Sequence, residues 1–197
     1  MSVAVAVGDS EPSFAAAAAA LAEAEASLGA LDAVVVARAG PTPVATAPTA
    51  WERVLAEHEG TPARIHADAC WARAVADLAT SAERPVRIVT LVDATTAGGR
   101  SEAQASAQLA RAARGATDER VTAHTISVEA PWASCAETAA EMAAHLVASA
   151  DSPALSGAEL VAARGWVGLR SHPRPSASVV VGGPALPDWF DDVLRAI

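Results

Sequence analysis

"LDAVVVARAG", residues 31–40, is a run of apolar residues that closes on a turn of small residues. It follows a long helix-forming stretch, "FAAAAAALAEAEASL" at residues 14–28. An uninterrupted β-branched run after such a helix is typical of a buried parallel strand. Strands and helices continue to alternate along the chain. We therefore predict an α/β fold of three layers, α/β/α, in which helices cover both faces of a parallel sheet.

The predicted elements extend through most of the chain. Strands are predicted at residues 3–7, 33–37 and 88–92, and within 120–131 and 157–165. Helices are predicted at 12–28, from a cap at Thr49 through 63–80, and at 101–113 and 135–149. We also expect the first strand to lie directly beside the second, because a gap between them would leave backbone groups unpaired on both sides.

The composition excludes several classes of partner. The chain has 197 residues, which suits one domain, and its formal net charge is −9 without any basic tract. Nucleic acids and anionic membranes are therefore not expected to bind. No apolar run approaches the ~20 residues of a membrane span, and no signal segment is visible at the start, so we expect a cytoplasmic protein. Cys70 and Cys135 are expected to be reduced and buried, and the histidines show no metal-ligand spacing.

Three stretches resemble the short-chain dehydrogenase/reductase family. "EPSFAAAAAALAEAEASLGALDAVVVARAG" at 11–40 resembles the turn after the family's third strand, its third helix and its fourth strand. "TAWERVLAEHEG" at 49–60 is similar to the family's Trp-Asp-x-Val-Leu-x-x-Asn-x-x-Gly segment, and "GAELVAARGW" at 157–166 is similar to its last strand. The resemblance implies a truncated, incomplete Rossmann-like domain over residues 1–166.

The cofactor motifs of the family are missing. Its Thr-Gly-x-x-x-Gly-x-Gly loop, which brings backbone N–H groups close to a pyrophosphate, has no counterpart. The loop after the first predicted strand reads "GDSEPS" at 8–13, whose acids repel phosphate. The Asn-Asn-Ala-Gly turn that lines the family's cofactor is replaced by Ala-Arg-Ala-Gly at 37–40. We expect no bound nicotinamide cofactor.

The catalytic residues of the family are missing as well. The family uses a Tyr, a Lys, a Ser and an Asn, and this chain contains no Tyr, no Lys and no Asn. The resemblance places the Ser position near Asp93 and the Asn position near His58. The Tyr and Lys positions fall within 98–106, around Gly99 and Ala103. No catalytic residue is therefore expected at these degenerate positions.

The resemblance implies a non-catalytic subunit that pairs with an active, full-length sibling in a hetero-oligomer, or that associates with itself. By analogy with heteromeric members of the family, the sibling would use NAD(P) on a 3-oxoacyl or 3-hydroxyacyl thioester. Two alternatives stay open. The chain is either a stand-alone pseudoenzyme that binds a small molecule in the old substrate cleft, or an enzyme with new chemistry based on Asp93 and His58.

Family members assemble through their fourth and fifth helices and their last strand, so the resemblance also implies an interface. The expected interface residues are Trp71, Ala103, Ala107, Ala110, Trp166, Trp189, Phe190 and Leu194. The alternative for the alanines is packing on the chain's own sheet. Residues 167–197, which include a short amphipathic helix at 187–197, are predicted to form an arm that reaches a neighbouring subunit. A lid on the chain's own domain is the alternative.

Overall fold

The computed structural model describes residues 1–7, 12–38, 46–164 and 166–171, which form an α/β fold as predicted. In chain order the elements are β1 (Val3–Val7), α1 (Phe14–Leu28), β2 (Ala33–Arg38), α2 (Ala50–Glu57), α3 (Thr61–Ser81), β3 (Val86–Asp93), α4 (Ala97–Ala116), β4 (Val121–Val128), α5 (Trp132–Ala148), a short 3-10 helix (Ser152–Leu155), β5 (Glu159–Ala163) and β6 (Trp166–Ser171). Among these helices, none has the length and apolar character needed to cross a membrane.

The strands form one sheet in the order of the sequence, from β1 to β6. The first five strands are parallel, and β6 pairs with β5 in the antiparallel direction. Val3 lies opposite Ala33, and the register continues to Val7 opposite Ala37. This pairing confirms that the first strand lies directly beside the second.

Helices cover the two faces of the sheet unequally. The first face carries α1, α3 and α4, whose side chains share a core with Val34, Ile88 and Val121 of the strands. The second face carries α5, which packs with Val89 and Ile126. Because every strand is added on the same side of the previous one, the connections through α1, α3 and α4 share one hand. Connections between parallel strands are right-handed as a rule, which makes these three connections right-handed. Because α5 lies on the opposite face of the sheet, the connection through α5 has the opposite hand and is left-handed.

The second face is only partly covered. Helix α5 packs against β3, β4 and β5. Among the described residues on this face, Val3 and Val35 are only partly buried and Val5 is 64% exposed. The consequence is an apolar shelf beside α5 at one end of the sheet.

Side-chain caps explain where several helices begin. Ser13, Thr49 and Thr96 each accept a hydrogen bond from a backbone N–H in the first turn of α1, α2 and α4. The predicted cap at Thr49 is therefore confirmed. Helix α4 begins at Ala97 rather than at the predicted residue 101, because the Thr96 hydroxyl satisfies the N–H of Gly99.

The C-terminal extension begins inside the domain. Residues 166–171 form β6, in which Trp166 lies opposite Ala163 and Val167 opposite Ala162. A boundary between residues 166 and 167 would cut this strand, so the expected arm does not leave the domain there. An antiparallel return needs only a short turn, so the sheet continues past residue 166. Residues 172–197, with Trp189, Phe190 and Leu194, lie outside the described residues.

Candidate functional site

Four charged side chains, three of them buried and one partly buried, meet where β2 ends between α3 and α4. Arg38 is the last residue of β2, and its side chain lies on the face covered by α3 and α4. Arg64 and Asp68 come from α3, and Glu102 comes from the first turns of α4. We call these four residues, with Ser106, the buried charge cluster.

Hydrogen bonds link the cluster into one unit. Arg38 Nη1 donates to the Arg64 carbonyl oxygen at 2.9 Å and lies 3.4 Å from Asp68 Oδ1. The Ser106 hydroxyl donates to the other Asp68 oxygen. Arg64 Nε donates to Glu102 Oε2 at 2.6 Å. The cluster therefore ties β2, α3 and α4 together.

Burial sets the electrostatics of the two acids. It raises the pKa of Asp68, and the Ser106 hydrogen bond and the Arg38 charge oppose that rise. Burial also raises the pKa of Glu102, against the hydrogen bond from Arg64. Two guanidinium groups balance two carboxyl groups, and each carboxyl has a hydrogen-bond donor. This arrangement holds structure together, and it presents no unpartnered acid or base for catalysis.

The start of α4 fills the position that the resemblance gives to the catalytic Tyr and Lys. A Cβ atom on residue 98 would lie 1.8 Å from the carbonyl oxygen of Glu57. A Cβ atom on residue 99 would lie 2.1 Å from the carbonyl oxygen of Asp93. Gly98 and Gly99 therefore let α4 pack directly on the backbone of α2 and β3, and no side chain fits at either position.

His58 and Asp93 both lie near this helix start, and each is held by hydrogen bonds to its own neighbours. The His58 Nδ1–H donates to the Val54 carbonyl oxygen at 2.7 Å, and Nε2 lies 2.9 Å from the Ser101 hydroxyl oxygen. Asp93 Oδ1 accepts from the backbone N–H and the hydroxyl of Thr95 at 3.0 and 2.6 Å. Both side chains stabilise local backbone.

Most of the expected interface side chains in the described residues lie inside the chain. Those that are buried are Trp71, Ala103, Ala107 and Ala110. The interface assignment is wrong for these four, because they pack on the chain's own sheet and neighbouring helix. Trp166, by contrast, is 51% exposed in β6, the last strand of the described sheet.

His124 is a core histidine with a strongly perturbed pKa. It is 1% exposed in the middle of β4. Burial and the nearby Arg87 charge lower its pKa to about 4, although the Leu155 carbonyl favours the protonated ring. His124 is therefore neutral in the folded protein at neutral pH.

This burial predicts a loss of stability in acid. The unfolded chain binds a proton at His124 below about pH 6.5, whereas the folded chain does so only near pH 4. Relative to a His124→Gln variant, the wild type should lose about 3 kcal/mol of unfolding free energy between these pH values. Urea unfolding of both proteins across this range measures the difference. Equal slopes for the two proteins would refute the prediction.

In the described part of the chain, no group of three or more His, Cys, Asp or Glu residues is arranged to hold a metal ion. Cys70 and Cys135 are buried free thiols, as expected. The "GDSEPS" loop, for which no cofactor binding is expected, lies mostly outside the described residues.

The chain was compared with known proteins. No family model matches the sequence, and no curated protein matches it. Among solved structures, a short-chain dehydrogenase from Mycobacterium avium is similar, with a TM-score of 0.63 and 17% sequence identity over 96% of this chain and 71% of that chain. The fold is like that of a short-chain dehydrogenase. At this identity the likeness shows the fold alone.

Sequence reasoning missed the buried charge cluster, although a signal for it exists. Asp68 lies between Ala67 and Trp71 in an otherwise apolar helical stripe, and Glu102 precedes the buried Ala103. A charged residue on the buried face of a helix requires a partner. Arg38, at the position where the resemblance places an Asn, is that partner for Asp68.

Proposed function

We propose that the chain is a non-catalytic subunit that pairs with an active, full-length short-chain dehydrogenase/reductase. By the family resemblance, the partner would be an NAD(P)-dependent enzyme that acts on a 3-oxoacyl or 3-hydroxyacyl thioester. The proposal has two parts, that the chain is non-catalytic and that it pairs with a partner. The first part is supported by the close packing of Gly98 and Gly99 against backbone atoms.

This packing weighs against both alternatives. A ligand in the old cleft would need space beside the start of α4, where even a methyl group would overlap the Glu57 and Asp93 carbonyl oxygens. New chemistry at His58 and Asp93 would need side chains free to act together. Instead, both His58 ring nitrogens and Asp93 Oδ1 have local hydrogen-bond partners. The whole chain also contains no Tyr or Lys to supply the family's proton donor.

A groove between the outer faces of α3 and α4 supports the second part of the proposal, that the chain pairs with another subunit. Its volume is about 310 Å³, and small side chains such as Ala72, Ala76 and Ala112 line it. At the opposite end of α4 from this groove, α2 packs beside the start of α4 and buries none of its own residues. Its Trp51 and Leu55, one turn apart, are 68% and 56% exposed.

The groove and the α2 face are two separate surfaces of this helix layer, and each resembles a helix-packing surface that the described residues leave uncovered. Small side chains allow a helix of another subunit to approach α3 and α4 closely. An exposed Trp on a soluble protein is a frequent anchor of an interface. The partner surface is therefore on the outside of the same helices whose inner faces hold Ala103, Ala107 and Ala110.

An Ala112→Arg substitution should break this pairing. The test co-expresses the chain with a full-length relative, encoded by a neighbouring gene, that keeps the Tyr-x-x-x-Lys motif. The charged, bulky side chain should lower the recovered complex at least about tenfold, because Ala112 lines the groove and an arginine there would fill part of it. Affinity co-purification measures the loss.

Ala133→Arg is the matched control, because Ala133 is exposed on α5, the helix of the opposite face. It should leave the complex intact. Failure of the wild-type chain to co-purify with such a relative would contradict the proposal, as would reductase activity in the purified chain alone.

A further inference from the structure

A second apolar groove lies on the opposite face of the sheet, beside α5. Its volume is about 500 Å³. Val3, Val5 and Val35 of β1 and β2 form its floor, and Ala136, Ala140 and Ala144 of α5 form one wall. We call it the α5 groove. In the described part of the chain the first face has three helices and this face has one, so the groove is where the outer layer of that part is incomplete.

The shape of the α5 groove suits a helix with one apolar side. The three alanines of the wall are spaced four residues apart, so they form a single row of small side chains along α5. A helix lying on the floor could press large side chains into this row. Val5 is 64% exposed on the floor, and such a continuous apolar surface is unusual unless something covers it.

We propose that the α5 groove is the docking site of this chain's own C-terminal segment, residues 187–197. The segment reads "PDWFDDVLRAI", a pattern that predicts a short amphipathic helix. Its apolar residues, Trp189, Phe190, Val193 and Leu194, recur with helical spacing. Large aromatic side chains complement a groove lined by alanine and valine.

The end of β6 is within reach of the groove. Ser171 lies opposite Glu159, the first residue of β5, and so at the edge of the sheet where the parallel strands begin. Helix α5 ends near this same edge, because it returns the chain to the start of β5. Five strand spacings, about 24 Å, separate β6 from β1. Residues 172–186 can extend to about 50 Å, so the segment can reach the groove of its own chain.

The pairing of β6 with β5 favours docking on the same chain. An extension that served a neighbouring subunit would be expected to leave the domain at once, whereas residues 166–171 fold back onto it. The α5 groove also lies on the sheet face opposite the α3–α4 groove. The two proposals are therefore independent, and either can fail alone.

Cysteine cross-linking of the full chain tests the proposal. Under mild oxidation, an Ala140→Cys/Val193→Cys variant should form a disulfide within one chain. The control, Ala112→Cys/Val193→Cys, places the first cysteine on the opposite face. The groove pair should react at least about tenfold faster, because docking raises the local concentration above that of tethering alone. Non-reducing gels and peptide mass spectrometry measure the products.

Each other outcome overturns the proposal. A disulfide between two chains would place the segment on a second copy. Equal rates for the two variants would mean that the segment does not dock in the α5 groove. The α5 groove would then be a site for another partner. A Trp189→Ala/Phe190→Ala variant adds an independent readout: hydrogen exchange should speed up at least about tenfold in β1 and α5 and stay unchanged in α3. Unchanged exchange in β1 would refute docking even if the cross-linking variants fold poorly.

Discussion

Gly98→Ala should destabilise the protein by about 4 kcal/mol or more, whereas Gly115→Ala on the same helix should stabilise it slightly. An added Cβ on residue 98 would lie 1.8 Å from the Glu57 carbonyl oxygen, a backbone atom that cannot move aside as a flexible side chain can. Helix α4 would have to shift away from α2, and the packing on the sheet beneath it would be lost.

Gly115 is the matched control. A Cβ on that residue meets no other atom within 4 Å, so alanine gains helix propensity without a clash. The expected gain is about 0.5–1 kcal/mol. Thermal unfolding followed by circular dichroism should show a drop of at least about 8 °C for Gly98→Ala and a small rise for Gly115→Ala. Similar midpoints for the two variants would mean that α4 does not pack on the α2 backbone and that the old cleft is not filled.

Much of the fold was predictable because its signals are local. The β-branched run at residues 33–37 and the alanine-rich helix before it each depend on neighbours in sequence. The order of the first two strands was predictable from the need to pair backbone groups. The left-handed connection through α5 was not predictable, since the apolar pattern of a helix does not say which face of the sheet it covers.

The buried charge cluster was harder to predict because its bonds join distant residues. Arg38 and Asp68 lie thirty positions apart, and Arg64 and Glu102 thirty-eight. The alanine stripes failed for a related reason. A row of small residues suits either the chain's own sheet or another subunit, and Ala103 lies inward whereas Ala112 lies outward on the same helix. Only the arrangement of the whole layer distinguishes the two faces of α4.

Arg38→Met should cost about 3–5 kcal/mol of unfolding free energy at neutral pH, because it leaves the Asp68 carboxylate buried without its guanidinium partner. Methionine keeps much of the apolar stem of arginine, so the lost charge accounts for most of the effect. Chemical unfolding of the wild type and the variant near pH 7 measures the difference.

The cost of Arg38→Met should depend on pH, whereas a simple loss of packing would cost the same at every pH. Burial already raises the pKa of Asp68 above 3.8, and Arg38 opposes that rise, so its removal should raise the pKa further. A carboxyl whose folded pKa is raised loses stability as the pH rises from its unfolded pKa through its folded one. The cost of Arg38→Met should therefore shrink as the pH falls toward 4 and the carboxyl becomes protonated. The double variant Arg38→Met/Asp68→Leu should recover most of the loss at neutral pH, since no buried charge then lacks its partner. A cost that is independent of pH and additive with Asp68→Leu would show that the cluster contributes through side-chain volume rather than through its charges.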